Sequence, residues 1–102
     1  MSNHFFEVKN VDFVAGGKIK VRNVSFKIEK EGDVICLLGP SGIGKTTVLR
    51  TIAGLEKINN GSIIINNKTI SSKKIHIEPE DRNISLAFQD NSLFYKILLF
   101  SI

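Results

Sequence analysis

The chain has 102 residues, enough for at most one small domain, and its 42% hydrophobic and 24% charged residues are typical of a globular protein rather than a disordered one. Its formal net charge is +4, but the lysines are spread along the chain without a dense basic run, so the sequence does not favour nucleic-acid binding. The single cysteine, Cys36, excludes an internal disulfide. The N-terminus lacks the basic and apolar regions of a secretory signal, and no apolar run has the length of a membrane span, so we expect a cytosolic protein.

The first third of the chain predicts antiparallel β-structure. Residues 5–13 alternate and are rich in aromatic side chains, which is typical of a strand. Ala15-Gly16-Gly17 predicts a turn, and Val21–Ile28 places apolar residues on one face at a period of two. After a polar turn at residues 29–32, the continuously apolar segment Val34–Leu38 predicts a strand that is covered on both faces.

The next segment, Lys45–Ala53, predicts a helix that ends at Gly54, because it carries apolar residues on one side and glycine is the preferred residue just past a helix end. Its apolar side is formed by Val48, Leu49, Ile52 and Ala53. Asparagine-rich turns then flank a strand at Ser62–Ile65. The polar segment Ser71–Arg82 carries Pro79 and predicts an exposed loop, and residues 83–88 predict the next strand. We expect His4 and His76 to be solvated.

The strand–helix junction contains the main functional motif. Residues 39–46, GPSGIGKT, match the pattern G-x-x-x-x-G-K-[ST] without a mismatch, between an apolar strand and an amphipathic helix. Glycines in such a loop allow positive φ and leave no side chain in the way, so that successive backbone N–H groups point at an anion. The helix N-terminus presents further N–H donors and the positive end of its dipole to the same anion. The pattern therefore predicts a phosphate-binding loop, whereas the alternative is a simple tight turn.

Within this loop, we predict that Lys45 supplies a point charge for the β- and γ-phosphates and that the Thr46 hydroxyl binds Mg²⁺. The predicted ligands are therefore ATP and Mg²⁺. The predicted nucleotide-binding residues are Gly39, Ser41, Gly42, Ile43, Gly44, Lys45, Thr46 and Thr47.

Beyond the loop, the sequence resembles the nucleotide-binding subunits of ABC transporters. The resemblance is carried by residues 23–70, which include GPSGIGKTTVLRTIAGLE, and by PEDRNISLAFQDNSLF at residues 79–94. The second segment is similar to the Q-loop region of bacterial importer ATPases, within the group that serves maltose, polyamine, sulfate and ferric-iron systems. The resemblance implies an α/β fold: a P-loop NTPase core of strand, P-loop (Walker A) and helix in a parallel sheet, preceded by an antiparallel β subdomain. It also implies that Gln89 is the Q-loop glutamine, near the Mg²⁺ and the attacking water; the alternative is an ordinary surface glutamine.

The resemblance further implies partners and a location. Relatives hydrolyse ATP at the interface of two ATPase subunits and work with membrane-embedded permease subunits, at the cytoplasmic face of the cell membrane. We assign residues 1–94 to the N-terminal part of such a nucleotide-binding domain and residues 95–102 to a divergent apolar tail. A sequence truncated before the helical subdomain contains no counterpart of the signature motif, the Walker B acid, the catalytic glutamate or the switch histidine. We therefore assign no catalytic residue and expect ATP binding as the N-terminal part of an importer ATPase, without ATP turnover by these residues alone. The alternative is a broken-gene product or a nucleotide-binding module that does not hydrolyse ATP.

Two further features depart from the pattern. The family usually has an aromatic residue that stacks on adenine at the position of Ala15, whereas Phe13 lies two residues earlier and is expected in the core. A slipped hairpin would instead bring Phe13 to the base.

The tail Ile97–Ile102 is apolar and has no obvious core to enter. The alternative to a divergent tail is an apolar segment that enters a helix. Because Val34–Leu38 is expected to pair with parallel strands outside this sequence, we expect a marginally stable chain that self-associates or needs a partner.

Overall fold

Two antiparallel sheets and one helix form the part of the chain described by a computed structural model, namely residues 5–30, 34–38, 44–90 and 94–101. For residues 34–38, 45, 87–90 and 94–101, the structure describes the backbone but not the side chains. In chain order, the elements are β1 (Phe6–Ala15), β2 (Lys18–Ile28), β3 (Val34–Leu38), α1 (Lys45–Ala53), β4 (Ser62–Ile65), β5 (Lys68–Ser72), a 3₁₀ turn (Pro79–Asp81), β6 (Ile84–Asp90) and β7 (Phe94–Ser101).

The first sheet has four antiparallel strands in the order β2-β1-β4-β5. The hairpin of β1 and β2 turns at Gly16 and Gly17, as predicted, and both glycines have positive φ. Register shifts interrupt this hairpin, and Asn10 and Asn23 adopt left-handed backbone conformations within its strands. Irregularities of this kind increase the twist of a sheet, and here they occur in the two longest strands.

Helix α1 packs on the core formed by this sheet. Val48 and Ile52 of the helix are almost completely buried in one cluster with Val8, Val11 and Phe13 of β1. The helix has the predicted bounds and ends at Gly54, which has φ of 97°. The Leu55 and Gly54 amides donate to the Arg50 and Thr51 carbonyls, a Schellman arrangement that satisfies carbonyls of the last turn. Local signals therefore predicted both ends of α1 correctly.

The second sheet has the strand order β3-β7-β6, and both pairs are antiparallel. Among the described residues the neighbour of β3 is β7, whereas the expected pairing of β3 with parallel strands outside this sequence stays a prediction. The segment 97–101, which we expected to have no place in a core, forms most of this central strand. The physical reason is that an apolar strand edge exposes unpaired N–H and C=O groups, and a second apolar segment of the same chain satisfies them. Since β3 and β6 are both antiparallel to β7, they point in the same direction.

The exposed-loop prediction for residues 71–82 is only partly correct. The charged side chains of the segment are exposed, as expected: Lys73, Lys74, Glu78, Glu80 and Asp81. However, β5 extends to Ser72, Ser71 is fully buried, and Arg82 is only 4% exposed. His76 is also partly buried rather than solvated, while His4 lies outside the described residues. The segment folds back because the helix α1 ends nearby with carbonyl groups that accept hydrogen bonds from Arg82 and His76.

Candidate phosphate-binding site at the start of helix α1

The residue before α1 adopts a conformation that favours glycine. Gly44 is buried and has φ of 75° and ψ of −12°. A Cβ atom at this position would collide with the Val21 side chain of β2. The Val48 amide donates to the Gly44 carbonyl at 2.8 Å, which begins the helical hydrogen bonding. The hairpin of β1 and β2 therefore packs directly against the start of the helix, and this close approach requires glycine.

The first turn of α1 is suited to an anion. Gly44 provides no side-chain capping bond, and no acidic residue lies in the first turn. The N-terminal amides and the positive end of the helix dipole therefore meet no negative side chain from this turn. Thr46 is exposed there, as a ligand for Mg²⁺ needs to be, whereas Thr47 is buried and only its backbone N–H is suited to an anion. This arrangement fits bound phosphate.

The structure does not describe all of the other residues predicted for the loop. Gly39, Ser41, Gly42 and Ile43 are outside the described residues, and so is the side chain of Lys45, although its backbone begins α1. Their roles stay predictions.

Gln89 lies at the same end of the second sheet as the C-terminal end of β3. Gln89 and Cys36 both pair with Lys96 of β7, so they lie level with each other on either side of that strand. Two strand spacings separate their backbones, about 10 Å. Because β3 and β6 point in the same direction, their last residues, Leu38 and Asp90, lie at the same end of the sheet. Among the described residues, no group of three His, Cys, Asp or Glu side chains is placed to hold a metal, so the magnesium hypothesis depends on Thr46, Gln89 and the phosphate itself.

The two candidates for adenine stacking differ in burial. Phe13 is completely buried in the core and pairs with Val21, which confirms the expectation that it faces inward. The slipped hairpin that would bring Phe13 to a base is therefore not the arrangement found. Ala15 is the last residue of β1, pairs with Lys18 and is partly buried. The assignment of Ala15, which is not aromatic, to the adenine-stacking position stays a prediction from the resemblance.

Sequence reasoning missed a buried polar cluster at the other end of α1. Arg82 donates hydrogen bonds to the Thr51 and Ile52 carbonyls of the helix, at 3.4 and 3.1 Å, and to the Ser71 hydroxyl at 2.8 Å. Burial lowers the pKa of Arg82, and the nearby Glu78 carboxylate opposes this effect. An arginine at the end of a polar, proline-containing segment gives no local sign of burial. Only the helix end, thirty residues away in sequence, explains it.

Comparison with known proteins agrees with the motif and the fold. The family model for ABC transporters matches residues 21–101, which is most of the chain. The chain belongs to the ABC transporter family. The matched region includes most of β2, and all of α1 and the second sheet, and therefore both the glycine loop and Gln89.

Individual relatives are ATP-binding subunits of importers. The chain is 42% identical over 88 residues to an sn-glycerol-3-phosphate import ATP-binding protein of Agrobacterium fabrum, with 85% of the chain and 24% of the relative covered. It is 38% identical over 100 residues to a spermidine/putrescine import ATP-binding protein of Mycoplasma capricolum, covering 98% of the chain and 27% of the relative. A trehalose/maltose import ATP-binding protein of Thermococcus litoralis is 45% identical over 83 residues, covering 79% and 22%. The chain thus spans about a quarter of the length of these relatives. No helix among the described residues is long and apolar enough to cross a membrane.

Proposed function

We propose that this chain binds Mg²⁺ and ATP as the N-terminal part of an importer-type ABC ATPase, which couples ATP hydrolysis to solute uptake. The observation that carries the proposal is the junction at Gly44: the glycine-lysine motif leads into a helix whose first turn lacks a side-chain cap and acidic residues. Phosphate would be held by the loop amides and by Lys45. Mg²⁺ would neutralise phosphate charge, with Thr46 and Gln89 beside it.

The assembly is also a proposal. The names of the relatives describe import ATP-binding proteins, which supports a role at the cytoplasmic face of the cell membrane, with permease subunits and a second ATPase subunit as partners. We place the nucleotide-binding domain in residues 1–94 and treat 95–102 as a divergent tail.

The proposal is tested by equilibrium binding of ATP, with ADP and adenosine as comparisons, in the presence and absence of Mg²⁺. We expect ATP to bind more tightly than adenosine by a large factor, because charge-assisted hydrogen bonds to phosphate supply most of the free energy. Equal affinity for ATP and adenosine would contradict the proposal.

Thr46→Ala is expected to remove most of the dependence of ATP binding on Mg²⁺ while leaving binding without Mg²⁺ nearly unchanged. The exposed Thr46 hydroxyl is the proposed protein ligand in the first turn, whereas the amides and Lys45 hold phosphate directly. Titration of ATP with and without Mg²⁺ measures the effect. Thr69→Ala, in β5 of the first sheet, is the matched control and should keep the dependence. A Thr46→Ala chain with normal dependence on Mg²⁺ would rule out this ligand.

Ala15→Tyr is expected to tighten ATP binding by about 1–3 kcal/mol, the range for stacking a base on an aromatic side chain. Without such a side chain, the unmodified chain should discriminate poorly between ATP and GTP, because the phosphates supply most of the binding energy. Ala15→Leu is the control, since leucine adds apolar volume without an aromatic face. Unchanged affinity in Ala15→Tyr would show that the base does not reach the end of β1.

A further inference from the structure

Arg82 joins three parts of the structure through one guanidinium group. It contacts the last turn of α1 at Thr51 and Ile52, β5 at Ser71, and the segment before β6 at Ile77, whose carbonyl accepts from Nε at 2.7 Å. These acceptors lie in different elements, and Arg82 itself is two residues before β6 begins. A planar fork of five donors is required for such a set, and the single ammonium of a lysine does not reproduce it.

His76 extends this cluster to the residue that ends the helix. Its Nε2 atom lies 3.0 Å from the Gly54 carbonyl, which only accepts, so Nε2 carries the proton. Its Nδ1 atom then accepts from Nη2 of Arg82 at 3.4 Å. A side chain on Gly54 would contact the Arg82 guanidinium, so glycine at this position also leaves space for the cluster. Arg82 and His76 together bind three carbonyls at the C-terminal end of α1.

The cluster lies at the opposite end of the helix from the candidate phosphate site. A nine-residue helix is about 13 Å long, and its hydrogen bonds make it move as a rigid body. Val48 and Ile52 hold α1 against the first sheet through apolar contacts. The bonds from Arg82 add a directional constraint on the C-terminal end of the helix, relative to the start of β6.

We propose that Arg82 is a positioning residue for the nucleotide site, which fixes α1 relative to β6 and thereby sets the placement of Thr46 relative to Gln89. This inference rests on the proposed function, because it assigns a consequence for the same Mg²⁺ site. Arg82 lies at the opposite end of α1 from the candidate phosphate site, so in this proposal it acts through the helix on one side and through the strand on the other. The positive charge at the C-terminal end also complements the helix dipole.

The test uses Arg82→Lys, which keeps the charge but loses the fork, and the milder Ser71→Ala, which removes one acceptor. For each folded variant, ATP affinity is measured with and without Mg²⁺ and corrected for the folded fraction. We expect Arg82→Lys to reduce the gain in affinity from Mg²⁺ by about tenfold, since misplacement of groups at a site by about 1 Å has effects of this size or larger. Binding without Mg²⁺ should change little, and Ser71→Ala should show a smaller effect in the same direction. Ile63→Val, a buried change in β4, is the control for lost stability alone.

A proportional loss of affinity with and without Mg²⁺, or an unchanged gain from Mg²⁺, would overturn the inference. Hydrogen exchange provides a readout that does not depend on ATP. It therefore distinguishes failure of the positioning role from failure of the proposed nucleotide binding. We expect Arg82→Lys to speed exchange of the Val48 amide at the start of α1 as well as that of Gly54 and Leu55 at its end. Faster exchange confined to Gly54 and Leu55 would show a local effect and contradict a positioning role.

Discussion

Replacing Lys45 with alanine is expected to abolish most ATP binding by this chain. The lysine is the only cation of the glycine-lysine motif, and it directly follows Gly44 at the start of α1. A hydrogen bond to a charged group contributes about 1.5–3 kcal/mol, which is a factor of roughly ten to a hundred or more in affinity. The loss should be larger for ATP than for ADP, because the proposed contacts are to the β- and γ-phosphates. Isothermal titration of each nucleotide measures it.

Lys57→Ala provides the matched control for the lost charge. Lys57 is exposed and follows the C-terminal end of α1, so this variant changes the net charge equally without touching the motif. It should retain nearly the affinity of the unmodified chain, apart from a small electrostatic effect that salt screens. If Lys45→Ala bound ATP with normal affinity, Lys45 would not hold phosphate. If both variants lost affinity equally, net charge rather than a specific contact would explain the loss.

Replacing Phe13 with alanine is expected to lower the free energy of unfolding by about 3–5 kcal/mol, the usual range for truncating a buried phenylalanine. Phe13 is completely buried in the core between the first sheet and α1, and it pairs with Val21 of β2. Its truncation to alanine would leave a cavity beside Val11 and Val21. Urea unfolding followed by circular dichroism measures the change. Because a loss of this size exceeds what a marginal fold tolerates, Phe13→Leu serves as a milder variant that should lose about 1 kcal/mol.

The same pair of variants separates a core role from a base-stacking role. In Phe13→Leu, the folded fraction should bind ATP with unchanged affinity, since the side chain does not reach the surface. Ile19→Ala is the control for an apolar change on the same hairpin, because Ile19 is 43% exposed and its truncation should alter stability little. Weakened ATP binding by Phe13→Leu with unchanged stability would place Phe13 at the base instead.

Local sequence signals determined the parts of this protein that depend on neighbouring residues. The apolar spacing of Lys45–Ala53 and the following Gly54 predicted α1 with both ends correct. The turn at Gly16 and Gly17, the strand Val34–Leu38 and the strand Ser62–Ile65 were also predicted from alternation, apolar runs and turn residues. The glycine-lysine motif predicted the phosphate site, because backbone freedom followed by a lysine at a helix start has a specific chemical use, and the wider resemblance of residues 23–70 and 79–94 indicated the family.

Tertiary structure alone decided the contacts between residues that are distant in sequence. Arg82, Ser71 and His76 belong to a segment of polar composition, and nothing in that composition shows that a helix end thirty residues earlier needs hydrogen-bond donors. The pairing of β3 with β7 is likewise nonlocal: an apolar strand requires a partner, but its sequence does not specify whether that partner is parallel or antiparallel, or which segment provides it. Local patterns encode backbone conformation and the buried face, whereas the choice of partner depends on which unsatisfied polar groups and apolar surfaces the folded chain brings together.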